Sequence, residues 1–143
     1  MYELVKKKNI GTRILIGIVI LFVTTQTIKF FFKEPTVNIN DELIKTANEI
    51  NKHTPIVIDS LTTFENVNAL NGNTLQYNYT LNTEKSTVDT TVLIKLVKES
   101  LLEQLKNNPK TTYFKENFIE IQANYADSNG AQICTIVIQP GEY

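Results

Sequence analysis

The chain has 143 residues, with 14 Lys and Arg against 15 Asp and Glu, one His and one Cys. A lone cysteine excludes an intramolecular disulfide or a zinc knuckle, and a lone histidine leaves no partner with which to build a histidine metal site. The net charge of −1 hides an asymmetry, because the residues before Glu34 carry +5 and those from Glu34 onward carry −6. That acidic body lacks the Lys and Arg needed to neutralise phosphates, so nucleic acid is set aside as a partner.

The chain opens with Lys6, Lys7, Lys8 and Arg13 ahead of an almost unbroken apolar run from Ile14 to Phe22. Uncharged sequence extends only from Ile14 to Ile28, roughly 22 Å of helix, against the roughly 30 Å of a bilayer core. The shortfall closes if Arg13 and Lys29 snorkel, which predicts a span over residues 10–32 with Phe30, Phe31 and Phe32 at the far interface. The basic flank stays cytoplasmic. The expected organisation is a cytoplasmic tail (1–9), a transmembrane signal anchor (10–32), a linker marked by Pro35 (33–38) and an extracytoplasmic α+β domain (39–143). This makes the chain a single-pass protein of a bacterial inner membrane, its domain periplasmic or extracellular. A cleavable signal peptide shares the basic start, but Thr24-Thr25-Gln26-Thr27 offers no small-residue cleavage site, and no cysteine follows for a lipid anchor. An ordinary buried helix is the third reading of the run.

Beyond the linker, Asn38 or Asn40 can cap a helix whose first turn holds Asp41 and Glu42. Leu43, Ile44, Ala47 and Ile50 recur at helical spacing, so the element is predicted from about Asp41 to Lys52, ended by His53-Thr54-Pro55. An extended stretch from Ile56 to about Val67 follows, then Asn71-Gly72 as a hairpin turn. On the return strand Leu75, Tyr77, Tyr79 and Leu81 alternate with Gln76, Asn78 and Thr80, which marks one buried and one polar face.

Asp89 or Thr90 can cap a second helix, with Leu93, Ile94, Val97, Leu101 and Leu105 as its apolar stripe and Asn107-Asn108-Pro109 as its stop. A third strand is predicted over roughly Asn117 to Ala126, a turn at Asp127-Ser128-Asn129-Gly130, and a last strand over Ala131 to Gln139. The order α-β-β-α-β-β predicts a two-layer sandwich: a four-stranded antiparallel sheet with two helices on one face, preceded by the membrane helix.

The residue inventory offers little chemistry. His53 sits at a helix-to-strand junction and reads as a surface or capping residue. Ser60, Ser86, Ser100 and Ser128 lie in no nucleophile-elbow context, and the five glycines are unclustered, so no loop cradles phosphate. No catalytic residue, metal ligand or cofactor is assigned, and Asp59, Glu65 and Glu120 alone keep a carboxylate mechanism formally open. Cys134, in a β-branched run, reads as a small buried hydrophobe. Asn78-Tyr79-Thr80 matches a glycosylation acceptor but falls inside a strand. The most promising feature is the uncovered sheet face, where Gln76, Asn78 and Thr80 on one strand face the same way as Glu120, Gln122 and Asn124 on another. Its bland reading is a solvated face. Its sharper reading is a recognition surface for a protein partner, with Tyr113, Phe114 and Phe118 as rim anchors or as core plugs.

Glu49-Ile50-Asn51-Lys52, Pro55, Asp59 and Gln76-Tyr77-Asn78-Tyr79-Thr80 resemble the corresponding residues in a family of short, uncharacterised, membrane-anchored bacterial proteins. The resemblance covers residues 49–81 and implies a fold without implying an activity. Its members carry a cysteine just before the proline, where this chain has Thr54. Together these readings predict a membrane-anchored, extracytoplasmic protein-binding module, either an envelope-complex accessory or an immunity-type inhibitor. The alternative is a small periplasmic enzyme using surface carboxylates.

Overall fold

The computed structural model of the protein describes residues 38–143. Helix α1 (Ile39–Asn51) starts at Asn38, whose side-chain Oδ1 accepts the backbone N–H of Asn40, and Asp41 and Glu42 occupy its first turn. It buries Leu43, Ala47 and Ile50 of the face that the helical spacing marks out, together with Thr46, while Ile44, expected on that face, is exposed. Strand β1 (Ile56–Val57) and strand β2 (Thr62–Leu70) then form an antiparallel pair, where one extended stretch is predicted. Asp59 breaks that stretch. Its Oδ1 accepts the backbone N–H of Leu61 at 2.7 Å and of Thr62 at 2.9 Å, which turns the chain as a short polar side chain can.

Strand β3 (Thr74–Leu81) returns beside β2, Leu70 pairing with Thr74. The left-handed residues of the connecting turn are Gly72 and Asn73, one position later than the predicted Asn71-Gly72 pair. Helix α2 (Thr90–Asn107) is capped by Asp89, whose carboxylate accepts the Val92 N–H, and buries Leu93, Val97, Leu101 and Leu105. Ile94, expected in that stripe, is exposed. A short helix α3 (Thr112–Glu116) precedes strand β4 (Glu120–Ala126) and strand β5 (Gln132–Ile138).

Two parts of the expected architecture are corrected. The sheet among the described residues has five strands in the order β1-β2-β3-β4-β5, and it is mixed, because β3 and β4 run parallel. Helix α2 carries the chain back to the end of the sheet from which β3 started, so β4 must leave in the same direction. The expected span over residues 10–32, with the tail 1–9 and most of the linker 33–38, falls outside the described residues. Among the described residues no helix is long and apolar enough to cross a membrane. The single-pass architecture and the inner-membrane location are therefore withdrawn, and the fold is an α+β domain.

The core lies between the sheet and the helices. Phe64, Tyr77, Tyr79 and Tyr125 line the covered face as neighbouring rings, with centroids 5.4 Å apart for Phe64–Tyr79 and 5.1 Å for Tyr79–Tyr125. Burial raises the Tyr79 and Tyr125 phenols well above their ordinary value, so both stay neutral. Leu75, Leu81, Ile121, Ile136 and Ile138 complete the sheet side, and the buried stripes of α1 and α2 meet them in one continuous cluster.

Two polar devices hold the edges. Below its short pairing with β1, strand β2 has no neighbour strand on that side, and Asn51 fills the place of one. Its Nδ2 donates to Val67 O and its Oδ1 accepts the Val67 N–H, both at 2.8 Å. At the other end Asp127 accepts the backbone N–H groups of Asn129 and Ala131 through Oδ1 and of Lys85 through Oδ2. These bonds tie the β4–β5 turn to the loop before α2 and hold the Asp127 carboxyl below its ordinary 3.8, the Ala131 N–H contributing most.

Asn51→Ala should lower the unfolding free energy by about 2–3 kcal/mol, because two bonds vanish and a part-buried backbone pair is left unmet; urea titration measures it, and a loss within the ~0.5 kcal/mol of a surface change would contradict the clip. Asp127 sets a pH dependence. Because its folded pKa is depressed, its contribution is complete above 3.8 and disappears as the pH falls from there through the folded value. In thermal melts carried into the acid range, Asp127→Asn should therefore lose less stability than the wild-type chain, and parallel curves would show that the charge plays no such part.

Candidate functional site: amide rows on the outer sheet face

Both long helices bury their apolar stripes in the one core cluster, which leaves the opposite face of the sheet without a helical cover. The register decides which side chains become neighbours there. The β3–β4 pairing sets Asn78 beside Asn124 and Gln76 beside Gln122, while Asn66 on β2 pairs with Asn78 and Thr135 on β5 pairs with Asn124. Asn66, Asn78, Asn124 and Thr135 thus form one row across four strands.

The row is continuously hydrogen-bonded. Thr135 Oγ1 donates to Asn124 Oδ1 at 2.8 Å, Asn124 Nδ2 to Asn78 Oδ1 at 3.1 Å, and Asn78 Nδ2 to Asn66 Oδ1 at 2.8 Å. Gln132 Nε2 adds bonds to Asn124 Oδ1 at 3.3 Å and Thr135 Oγ1 at 2.9 Å. The bonds between strands all have their donors pointing from β5 toward β2. The order resembles a strand ladder rebuilt from side chains, and such chains polarise one another.

A second row runs beside it. Gln76 Nε2 donates to Gln122 Oε1 at 2.9 Å, Gln122 Nε2 to Glu120 Oε1 at 2.6 Å, and Gln139 Nε2 to Glu120 Oε2 at 2.7 Å. The Glu120 carboxylate is held between two amides. Among the described residues neither Glu120 nor Glu65 takes part in an ion pair; the pairs seen are Lys52–Glu49 and Lys98–Glu142.

Five of the six residues singled out on the face, Gln76, Asn78, Glu120, Gln122 and Asn124, therefore meet in these two rows. Thr80 lies on the same face, between Thr63 and Ala126, but its hydroxyl enters neither row. Asn66, Gln132, Thr135 and Gln139 belong to the rows and went unread. Asn66 was concealed because the bulge at Glu65 breaks the alternation and puts it on the face opposite Phe64, whereas Thr135 and Gln139 could have been found by carrying the period-2 alternation through the last strand.

The other candidates separate. Asp59 is committed to its turn, Glu65 sits at the bulge where the β2–β3 register shifts, and Glu120 is in the row, so the three do not form a cluster. Among the described residues no group of three His, Cys, Asp or Glu is placed to hold a metal ion. His53 is exposed in the turn after α1. Cys134 is partly buried opposite Tyr125, and desolvation pushes its thiol up to about 11, away from reactivity. The Asn78 amide lies on the central strand and already donates to Asn66. Of the three aromatics, Phe114 is core and the Tyr113 hydroxyl donates to Glu42 Oε2 at 2.7 Å, locking α3 to α1. Phe118 is 73 % exposed.

Residues 38–134 match a family described as a domain of unknown function, DUF8479. The chain belongs to this family. The DUF8479 match takes in every residue of both rows except Thr135 and Gln139, and it extends the resemblance read over residues 49–81 without bearing on membrane anchoring. No curated protein matches the chain. Solved structures share the fold. A presumed secreted protein of Pseudomonas aeruginosa is 14 % identical with a TM-score of 0.63, covering 73 % of this chain and 91 % of its own. The pilotin of the Vibrio vulnificus type 2 secretion system is 12 % identical with a TM-score of 0.56, over 73 % and 90 %. The type II secretion system pilotin of Vibrio cholerae is 13 % identical with a TM-score of 0.52, over 74 % and 93 %.

Asn124 is the hub of the longer row, with two donors arriving and one bond leaving. Asn124→Ala should cost about 1–3 kcal/mol in chemical denaturation, since it orphans part-buried partners, while Thr80→Ala should change stability by less than about 0.5 kcal/mol. Equal losses from the two would mean that the row is not a unit.

Proposed function

We propose that this DUF8479 domain is a non-enzymatic, protein-binding accessory module of the bacterial cell envelope, and that its outer sheet face is the recognition surface. The observation that carries the reading is the pair of amide rows. Asparagine and glutamine side chains offer donors and acceptors together, and an uncharged amide is cheaper to desolvate than an ion. Fixing them in hydrogen-bonded rows removes much of the ordering cost that a partner would otherwise meet. A broad, preorganised surface of this kind suits a protein face better than a small substrate, which needs a concave site. The fold shared with two secretion-system pilotins and a presumed secreted protein supports placing the module at the envelope.

The test is crosslinking of the full chain in intact bacterial cells, comparing wild type with Asn78→Ala/Gln122→Ala. The pair lies in different rows, and the doubly substituted chain should keep its circular dichroism spectrum while losing a discrete crosslinked partner. Undiminished capture by the folded double variant would sink the sheet-face reading.

A further inference from the structure

Helix α3 ends in a Schellman motif: the Phe118 N–H donates to Lys115 O at 3.2 Å, the Ile119 N–H donates to Phe114 O at 3.0 Å, and Ile119 and Phe114 are both buried. The residue between the two arms takes a left-handed conformation, a place that glycine normally fills. Here it is Phe118, with φ of 51°. An aromatic residue is strained there, and its ring, 73 % exposed, recovers little of the strain by packing. The surroundings hold it in place. Asn117 Nδ2 donates to Tyr113 O, Asn73 Nδ2 donates to Asn117 O, and the Glu120 N–H donates to Asn73 O. The strained turn is thus fastened to the β2–β3 turn and stands two residues before Glu120, at the end of the second amide row. Leu70, 38 % exposed, ends β2 at that same turn.

A large apolar ring presented to solvent from a fixed, strained backbone is the form of an interface anchor, since aromatic anchors dominate binding energy. We infer that Phe118 is the anchor of the recognition surface and inserts into an apolar pocket on a protein partner whose pocket rim is cationic. This rests on the sheet-face reading above. The cationic rim follows from charge complementarity: Lys115 and Glu116 ahead of the ring offset each other, and the five strands carry Glu65 and Glu120 and no Lys or Arg, so the balance is negative. The amides on Glu120 leave its charge uncompensated. A partner Lys or Arg that reaches Glu120 supplies the missing counter-charge as the ring docks.

The experiment places the photocrosslinking residue p-benzoylphenylalanine at position 118, 80 or 103 of the full chain in intact cells, position 80 lying on the open face outside both rows and position 103 being exposed on α2. Positions 118 and 80 should give one and the same discrete adduct and position 103 none, with the attachment site at 118 mapping to apolar side chains flanked by Lys or Arg. Adding Phe118→Gly, or Phe118→Asn, which also tolerates the left-handed backbone, should weaken the adduct from position 80 by at least about tenfold. The purified full-length variants should melt at or above the wild-type temperature. An adduct at 80 that survives both substitutions, or one at 80 without one at 118, overturns the anchor and leaves the sheet-face reading standing. The absence of adducts at both positions sinks the two together. A melting temperature lowered by more than about 4 °C, the shift expected for ~1 kcal/mol, shows that the ring is packed and overturns the anchor.

Discussion

Everything distinctive about the outer face depends on the crossover from β3 to β4. Helix α2 has 18 residues, about 27 Å at ~1.5 Å each. Strand β3 has eight, about 26 Å at ~3.3 Å each. The helix therefore returns the chain almost the full length of the strand, and β4 starts level with β3 and runs parallel to it. A crossover of that kind must be covered by its own helix, which is why the apolar stripe of α2 closes one face and leaves the other open.

The parallel register does the sorting. In-phase pairing of Leu75, Tyr77 and Tyr79 with Ile121, Ala123 and Tyr125 builds the covered side, and the residues between them, Gln76 and Asn78 against Gln122 and Asn124, meet like with like on the open side. Amides of equal length set side by side can share hydrogen bonds without bending either strand. The edges are settled separately. Asn51 supplies a substitute strand for β2, and Asp127 gathers two backbone N–H groups of the β4–β5 turn and that of Lys85 in the loop before α2.

The sequence made the period-2 strands and the amphipathic helices legible, because burial writes itself directly into spacing. Gln76, Asn78, Glu120, Gln122 and Asn124 were assigned to one face on that basis alone. Strand direction was not assigned correctly, since alternation is the same in parallel and antiparallel pairs, yet the helix length between β3 and β4 held the answer. The split of β1 from β2 was missed because Asp59 looked like a polar strand position, whereas it accepts two backbone N–H groups and makes a turn. Phe118 could not be separated from Phe114 by composition: the difference lies in which residue falls on the left-handed step of a five-residue helix's end. The membrane span drawn over residues 10–32 came from hydropathy, and the described residues contain no helix that could take that role.

The proposed binding surface, its anchor and its partner chemistry all presuppose that like amides face each other across β3 and β4. Side-chain amide NOEs in isotope-labelled protein test this most directly. The parallel register predicts contacts of the Asn78 amide with Asn124 and of the Gln76 amide with Gln122. Crossed contacts, Gln76 with Asn124 and Asn78 with Gln122, would mean antiparallel pairing and would dissolve both rows.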